Sequence, residues 1–405
     1  RALLWPCTNR QAHQGVIAVT STSINETRAA DTAIPVTMRA AVLREPGRGL
    51  QVETIKTPRP RAEEGLIKVT ACGLCHSDLH VIGGAIAFPT PCVLGHEVAG
   101  TIVELGEGLQ ATHLAVGQRV AGAFLMPCGR CDHCARGEDE LCEPFFEMNR
   151  INGVLYDGET RLADLDGSPI YMYSMGGLAE YAVVPATAVT PLSADVDGIA
   201  SAILGCAAMT AYGAVRRSGL RHGESVAVVA VGGVGSNICQ IASAMGARQV
   251  IAIDVSDEKL ASLDRFGATA TVNSMTSDAR ERVLELTDGR GVDVAFEALG
   301  IGATWKTALD VLADGGRMVP IGLGAGVKTA EVEINRAVRR SQSILGSYGA
   351  RTRVDLPAVV DMAAHDEINY RDLVTRRFSL EQANEGYSLL AEGKILGRAV
   401  VDMSA

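Results

Sequence analysis

The apolar positions change rhythm once along this chain. Over residues 38–207 they form short runs broken by Gly and Pro. Arg39-Ala40-Ala41-Val42-Leu43, Leu66-Ile67-Lys68-Val69-Thr70 and Val98-Ala99-Gly100-Thr101-Ile102-Val103 read as short strands of a compact β-rich domain. From residue 208 onward, apolar strands alternate with helical stretches. Residues 225–231 form a continuous apolar strand, a glycine-rich turn follows, and a helix runs to about Met245. Further strands are expected at 249–254, 292–296 and 317–321. Alternating buried strands and helices predict a doubly wound parallel sheet. Near the C-terminus, Ser379-x-x-Gln382 is a capping box that opens a helix through Glu392, and residues 394–401 are a closing strand.

Two stretches break the pattern. Residues 1–37 are rich in Thr, Ala, Ser and Asn and have no period, so a disordered extension is expected. They hold Arg1, Arg10 and Arg28 and no acid before Glu26; a targeting segment, a cloning remnant and an upstream start all fit. Residues 143–175 are polar with several glycines and read as a surface loop.

Composition narrows the function classes. A chain of 405 residues has room for two or more domains. The net charge of -10 argues against nucleic acid as the main partner, because phosphate binding needs a basic face. No apolar run reaches about 18 residues, so no membrane span is indicated. There are ten cysteines. Six sit at ligand-like spacings, which fits a reducing, cytoplasmic compartment better than a disulfide scaffold. Cys7, Cys72, Cys92 and Cys239 default to ordinary thiols.

The candidate chemistry lies in three places. Cys72-Gly73-Leu74-Cys75-His76-Ser77-Asp78-Leu79-His80 is followed by Gly95-His96-Glu97 and later by Gly205-Cys206. Two thiolates and an imidazole suit a catalytic zinc with one open position. Cys128-x2-Cys131-x2-Cys134-x7-Cys142 suits a closed structural zinc. His133 lies inside that loop, but four cysteines already fill a tetrahedron. The bland alternative, buried thiols and a satisfied core histidine, is hard to keep for motifs in this order. The third place is the turn Ala230-Val231-Gly232-Gly233-Val234-Gly235, between a strand and a helix. It matches a dinucleotide fingerprint except that Ala230 stands for the first glycine, which requires φ to stay negative there. Gly232 and Gly235 would let backbone and helix approach a pyrophosphate at the helix N-terminus. Asp254 ends the next strand, where a carboxylate binds an adenosine ribose and favours NAD over NADP.

From Met38 to the C-terminus, these motifs together resemble the zinc-dependent alcohol dehydrogenases of the medium-chain dehydrogenase/reductase family, whose Cys2His zinc site is already well known. The resemblance implies a chaperonin-10-like catalytic domain over 38–207, a Rossmann coenzyme domain over 208–348, and a return to the catalytic domain over 349–405. It implies hydride transfer between an alcohol and NAD, with an aldehyde or ketone as substrate in reverse, two zinc ions per subunit, and a homodimer, with a tetramer as the alternative. Residues 143–175 resemble the long form found in dimeric members. The resemblance selects Cys75 rather than Cys72 as ligand, beside His96 and Cys206. It places Asp78 on the far nitrogen of His96 and Glu97 behind the metal. Ser77 would take the substrate proton and pass it through the cofactor ribose to His80. His76 and Arg398 would lie at the pyrophosphate, Lys259 at the adenosine ribose, and Thr210 at the nicotinamide, beside the turn residues Gly232, Gly233, Val234 and Gly235. Phe124 and Ile86 would line the substrate cleft. A polyol dehydrogenase is the nearest alternative, but Cys206 stands where many of those carry Glu. A thiol-dependent formaldehyde dehydrogenase is a second. A non-enzymatic zinc module that binds nucleic acid is a third, and the negative charge weighs against it.

Overall fold

Ser225–Val229 is buried at every position because it is the central strand of a six-stranded sheet. A computed structural model describes residues 33–109, 114–324 and 329–405, and Pro35–Ala405 pack as one unit. The expected N-terminal extension lies outside the described residues up to position 32. The sheet order is Ala270–Asn273, Gln249–Asp254, Ser225–Val229, Val292–Glu297, Leu312–Pro320 and Ser343–Ile344, and every pairing is parallel. Sequence order reverses between the Ser225–Val229 and Val292–Glu297 strands. Ligands of such sheets bind in the crevice at that switch point, beyond the strand carboxyl ends. One apolar cluster fills a face of the sheet, with Ile251, Ile253, Ala295 and Met318 at its centre and Trp305 packed against it.

The central strand ends two residues earlier than the apolar run predicts, because Ala230 adopts φ +72°. The expectation of a negative φ there is wrong. A left-handed conformation costs a non-glycine residue on the order of 1 kcal/mol. Its surroundings hold it in place: its N–H donates to Ile253 O at 2.8 Å, and a Cβ on Gly235 would stand 2.2 Å from its carbonyl oxygen.

The other half of the chain is mainly antiparallel; among the described residues its parallel pairs are Val374–Phe378 with Arg398–Asp402 and Cys92–Val93 with Pro169–Met172. One sheet runs Val189–Pro191, Arg119–Gly122, Val98–Leu105, Glu64–Gly73, Arg398–Asp402 and Val374–Phe378, with Tyr181–Pro185 also paired to Glu64–Gly73. A second runs Gln51–Lys56, Thr37–Leu43, Cys92–Val93, Pro169–Met172 and Leu162–Ala163. The last strand of the chain thus lies beside one of the first, with Val401 opposite Cys72. Gln382 Oε1 accepts from Ser379 N–H at 3.1 Å, as a capping box requires, but the helix is Ala383–Ala391 and starts a turn later. The closing strand also starts late, after Gly393 and Gly397 at positive φ. Among the described residues, no helix is long and apolar enough to cross a membrane.

Residues 143–175 are not a surface loop. They contain a helical segment, Phe145–Ile151, and supply two strands to the second sheet. Phe145, Leu155, Ile170, Met172, Tyr173 and Met175 are buried. Asn149 Nδ2 donates to Met172 O at 3.3 Å and to Ser174 O at 3.2 Å, which ties the helical segment to the strand end. The polar residues misled because several are consumed internally: Arg161 donates to Glu64 at 2.6 Å and 2.9 Å, with both side chains under 10% exposed. Truncating one partner of a buried pair leaves an uncompensated charge. Arg161→Ala should therefore lower unfolding stability by about 3 kcal/mol, measured by denaturant titration. A change within ~0.5 kcal/mol would mean that the segment is as peripheral as its composition suggests.

Candidate metal and cofactor site

Three separate parts of the chain converge on one cluster. Cys75 is the extended residue that precedes the His76–Ile82 helix. His96 follows Gly95, whose φ of +93° makes the bend; a Cβ there would stand 2.6 Å from Cys72 Sγ and 2.7 Å from Leu178 N. Cys206 joins Ala200–Gly205 to the Ala207–Ser218 helix. A Cβ on Gly205 would stand 1.8 Å from Gly122 O, so only glycine lets the backbones close there. Cys75, His96, Glu97 and Cys206 each offer a donor atom, all within 4.8 Å of one another.

The electrostatics of this cluster favour a cation. The Cys75 thiol is held well below its usual range, first by Cys206 and then by His96, against burial. Burial alone would lower the pKa of His96, but Asp78 and Cys75 outweigh it and raise the ring to about 10. A site that stabilises a thiolate and a protonated ring suits a zinc ion in place of the proton. Asp78 fixes the ring: its Oδ1 lies 3.1 Å from His96 Nδ1, and its Oδ2 accepts from the Tyr387 hydroxyl at 2.9 Å. A carboxylate there sets the tautomer that leaves Nε2 free to ligate.

Glu97 and Arg398 form a fully buried ion pair beside the cluster. Gly73 leaves room for it, since a Cβ would stand 2.1 Å from Glu97 Oε2. Burial raises Glu97 to about 7, against the pull of Arg398. Glu97 Oε2 and Arg398 Nε have no partner, so the pair retains donor and acceptor capacity. Arg398 also packs on the glycine-rich turn: a Cβ on Gly233 would stand 2.4 Å from its Cδ and 2.9 Å from its Nη1. It therefore touches both the cluster and the turn.

The turn opens the Gly233–Ala244 helix, with extended Gly232 as N-cap. A Cβ on Gly232 would meet nothing within 4 Å, so that face is open to a ligand. Gly235 packs against the Ala230 carbonyl, and Val234 lies between them in the first turn of the helix. Asp254 is buried. Its Oδ2 accepts from Val231 N–H at 2.9 Å, and its Oδ1 from Val255 and Ser256 N–H at 2.8 Å and 3.1 Å. Lys259 follows in the Asp257–Leu260 helix and lines a cavity of about 150 Å³ with Val231, Ser236, Leu373 and Gly397. Burial first, and then Arg398, His80 and Lys259, lower the pKa of His76 against the pull of Cys75, so the positive charge on this side of the turn is that of Arg398 and Lys259. Thr210 is buried one helical turn after Cys206, with its N–H on Cys206 O at 2.8 Å. An open glycine, a helix N-terminus and this cationic rim fit a pyrophosphate.

Aromatic residues form a wall beside the cluster. Phe124 and Tyr173 meet the His96 ring edge-on at centroid distances of 6.1 Å and 6.0 Å. Tyr348 packs on Phe124 at 5.8 Å, and Phe146 on Tyr348 at 5.6 Å. Ile86 is 37% exposed, while Phe88, two residues on, meets Tyr173 edge-on at 5.0 Å. Ser77 Oγ lies 3.7 Å from Cys75 Sγ, and His80 is half-buried one turn along the same helix. Sequence reasoning missed Phe88, Phe146, Arg150, Tyr173, Tyr348 and Tyr387. The one local signal was the i, i+4 spacing of Phe146 and Arg150, which puts both on one helical face.

The second cluster is Cys128, Cys131, Cys134 and Cys142. Cys128 Sγ accepts from Cys131 N–H at 3.3 Å, and Cys142 Sγ from Cys128 N–H at 3.2 Å. Such bonds favour thiolate. His133 is turned to Glu138 at 2.8 Å and stands outside the set. Arg353, at the start of the Thr352–Ala364 helix, fastens the loop through Asp139 at 2.6 Å and 2.9 Å.

Comparison with known proteins places both halves. Residues 61–194 match the family described as alcohol dehydrogenase GroES-like domain, and residues 233–365 match zinc-binding dehydrogenase. The S-(hydroxymethyl)glutathione dehydrogenase of Escherichia coli O1:K1 / APEC is 32% identical over 363 residues, 88% of this chain and 97% of that protein. The structure of benzyl alcohol dehydrogenase from Acinetobacter calcoaceticus superposes with a TM-score of 0.84 at 27% identity, covering 90% of this chain and 99% of that one. Acetophenone reductase from Geotrichum candidum, solved in complex with NAD, superposes with a TM-score of 0.75 at 28% identity, covering 91% and 98%. Similarity of this extent, running through both halves of the chain, makes it a member of the zinc-dependent alcohol dehydrogenases of the medium-chain dehydrogenase/reductase family.

Proposed function

We propose that the chain is an NAD-linked dehydrogenase that interconverts alcohols with aldehydes or ketones. The observation that carries this reading is the four donors of Cys75, His96, Glu97 and Cys206 within 4.8 Å, beside a dinucleotide turn. Cys75, His96 and Cys206 would hold a catalytic zinc, and Cys128, Cys131, Cys134 and Cys142 a structural one. When bound, zinc supplies Lewis-acid polarisation of the substrate oxygen and the nicotinamide supplies the hydride acceptor.

The protein's own residues do the rest. Ser77 sits beside the Cys75 thiolate and accepts the substrate hydroxyl proton. His80, half-buried on the same helix, returns that proton to solvent. Asp78 and Tyr387 keep His96 in its ligating tautomer. Phe124, Tyr173 and Tyr348 exclude water, which strengthens every charge interaction inside. Gly232, Gly233, Val234 and Gly235 present the helix N-terminus to the pyrophosphate, with His76 and Arg398 beside it. Asp254 and Lys259 serve the adenosine ribose, and Thr210 the nicotinamide.

A second reading, thiol-dependent formaldehyde oxidation, is favoured by the 32% identical relative of that activity. One experiment separates the two. Initial rates of NADH formation are measured with benzyl alcohol, simple primary and secondary alcohols, and S-(hydroxymethyl)glutathione formed from formaldehyde and glutathione. The main reading predicts turnover of free alcohols. Turnover of the glutathione adduct alone would replace it with the second.

A further inference from the structure

We infer that Arg150 anchors a carboxylate on the substrate, so that the preferred alcohols and aldehydes are compact molecules carrying an anionic group. This assignment rests on the alcohol dehydrogenase reading above. Arg150 comes from the Phe145–Ile151 segment and lies over the Tyr173 ring, with Cζ 4.1 Å from its centroid. Its Nη2 donates to the Tyr173 hydroxyl at 2.6 Å. Its Nη1 is buried and has no hydrogen-bond partner. Burial raises the Tyr348 hydroxyl, and Arg150 draws it back down by its charge and a side-chain hydrogen bond, while Nη1 remains the atom without a partner.

The missing partner is a charge as well as an acceptor. Two other arginines with buried side chains each have a carboxylate: Arg161, in the same 143–175 segment, has Glu64, and Arg398, beside the cluster, has Glu97. Among the described residues, Arg150 takes part in no ion pair. Asp78 is the carboxylate whose charge reaches it, but both Asp78 oxygens are engaged by His96 and Tyr387. A guanidinium drawn out of water without a counter-charge is costly, so the fold keeps this one at a loss unless something else pairs with it. A carboxylate suits it best, because the guanidinium fork matches two carboxylate oxygens.

The position selects the length of the ligand. Arg150 and His96 pack on the same Tyr173 ring, at 4.1 Å and 6.0 Å from its centroid. Those two distances keep the guanidinium and the imidazole within about 10 Å of each other, so a hydroxyl at the ligand cluster and a carboxylate at Arg150 belong to one compact molecule. Phe124, Phe146, Tyr173 and Tyr348 form the connected aromatic wall that both groups adjoin, which suits a flat apolar body.

The test compares 4-(hydroxymethyl)benzoate with benzyl alcohol. Their kcat/KM values with NAD are measured in the wild type, Arg150→Gln and Arg150→Lys. The wild type should favour the carboxylated alcohol by about tenfold or more, mainly through KM. Added salt should shrink that ratio. In Arg150→Gln the ratio should fall to about one or below, and Arg150→Lys should restore part of it. A purely structural Arg150 would change both substrates alike and leave the ratio untouched. A wild-type ratio of one or less, with benzyl alcohol turned over, overturns the assignment and leaves the dehydrogenase reading intact. Absence of turnover for both alcohols in zinc-loaded protein overturns both. If Arg150→Gln does not fold, the wild-type ratio and its salt dependence still decide the question.

Discussion

Cys75→Ala should lose at least about a thousandfold in turnover while unfolding near the wild-type midpoint. Cys131→Ala should do the reverse, losing stability and yield before it loses specific activity. The two cysteines belong to clusters of different construction. Cys75 shares its cluster with a histidine and a buried carboxylate beside an aromatic cleft, so a ligand atom can reach it. Loss of Lewis-acid assistance removes several kcal/mol of transition-state stabilisation, and each 1.4 kcal/mol is about tenfold in rate. Cys131 belongs to a closed four-thiol loop, with no open position and with N–H···S bonds between its members. Such sites contribute folding energy directly. The loop is also the surface that Arg353 grips through Asp139, so its collapse would free the start of the Thr352–Ala364 helix. Steady-state kinetics and thermal unfolding of both variants check this. Equal behaviour in the two assays would show that the clusters are not divided in this way.

The second large effect concerns the cofactor. The wild type should use NAD more efficiently than NADP by more than about a hundredfold, a gap of about 3 kcal/mol. Asp254 is buried at the end of its strand, and three backbone N–H groups hold its carboxylate in place. Three of its roughly four acceptor positions are used, which leaves one on Oδ2 for a ribose hydroxyl. The extra phosphate of NADP would set about two negative charges against it. Each such pair costs on the order of 1 kcal/mol in water and several times more at lower effective dielectric. Val255, Ser256 and Asp257 follow directly, so no arginine relieves the repulsion, and Lys259 offsets only part of it. Asp254→Asn keeps the shape and removes the charge. It should weaken use of both cofactors, because Val231 N–H loses its acceptor, but should narrow the NAD to NADP ratio at least about tenfold. Equal kcat/KM for the two cofactors in the wild type would remove Asp254 from this role.

The doubly wound half was legible because its signal is local. Buried parallel strands must be apolar throughout, and Ser225–Val229 and Gln249–Asp254 are almost wholly so. The error at Ala230 came from reading a residue preference as a conformational rule. There the close approach of Gly235 and the bond to Ile253 dictate the backbone, and the alanine bears the strain. The cysteine spacings pointed to atoms that the fold does gather, because zinc sites impose spacing on sequence. The cleft wall imposes none. Tyr173, Tyr348 and Tyr387 come from distant segments, and only the folded chain sets them around His96 and Asp78. Residues 143–175 were misread because charge looks like exposure in a sequence, whereas Arg161 and Glu64 are charged and buried together.

The central claim is that one chain builds two zinc sites with separate roles, and metal content tests it most directly. Protein purified without chelator should hold two zinc ions per chain by elemental analysis, and Cys75→Ala and Cys131→Ala should each lose one. A stoichiometry of one or none in fresh wild-type protein would contradict the account.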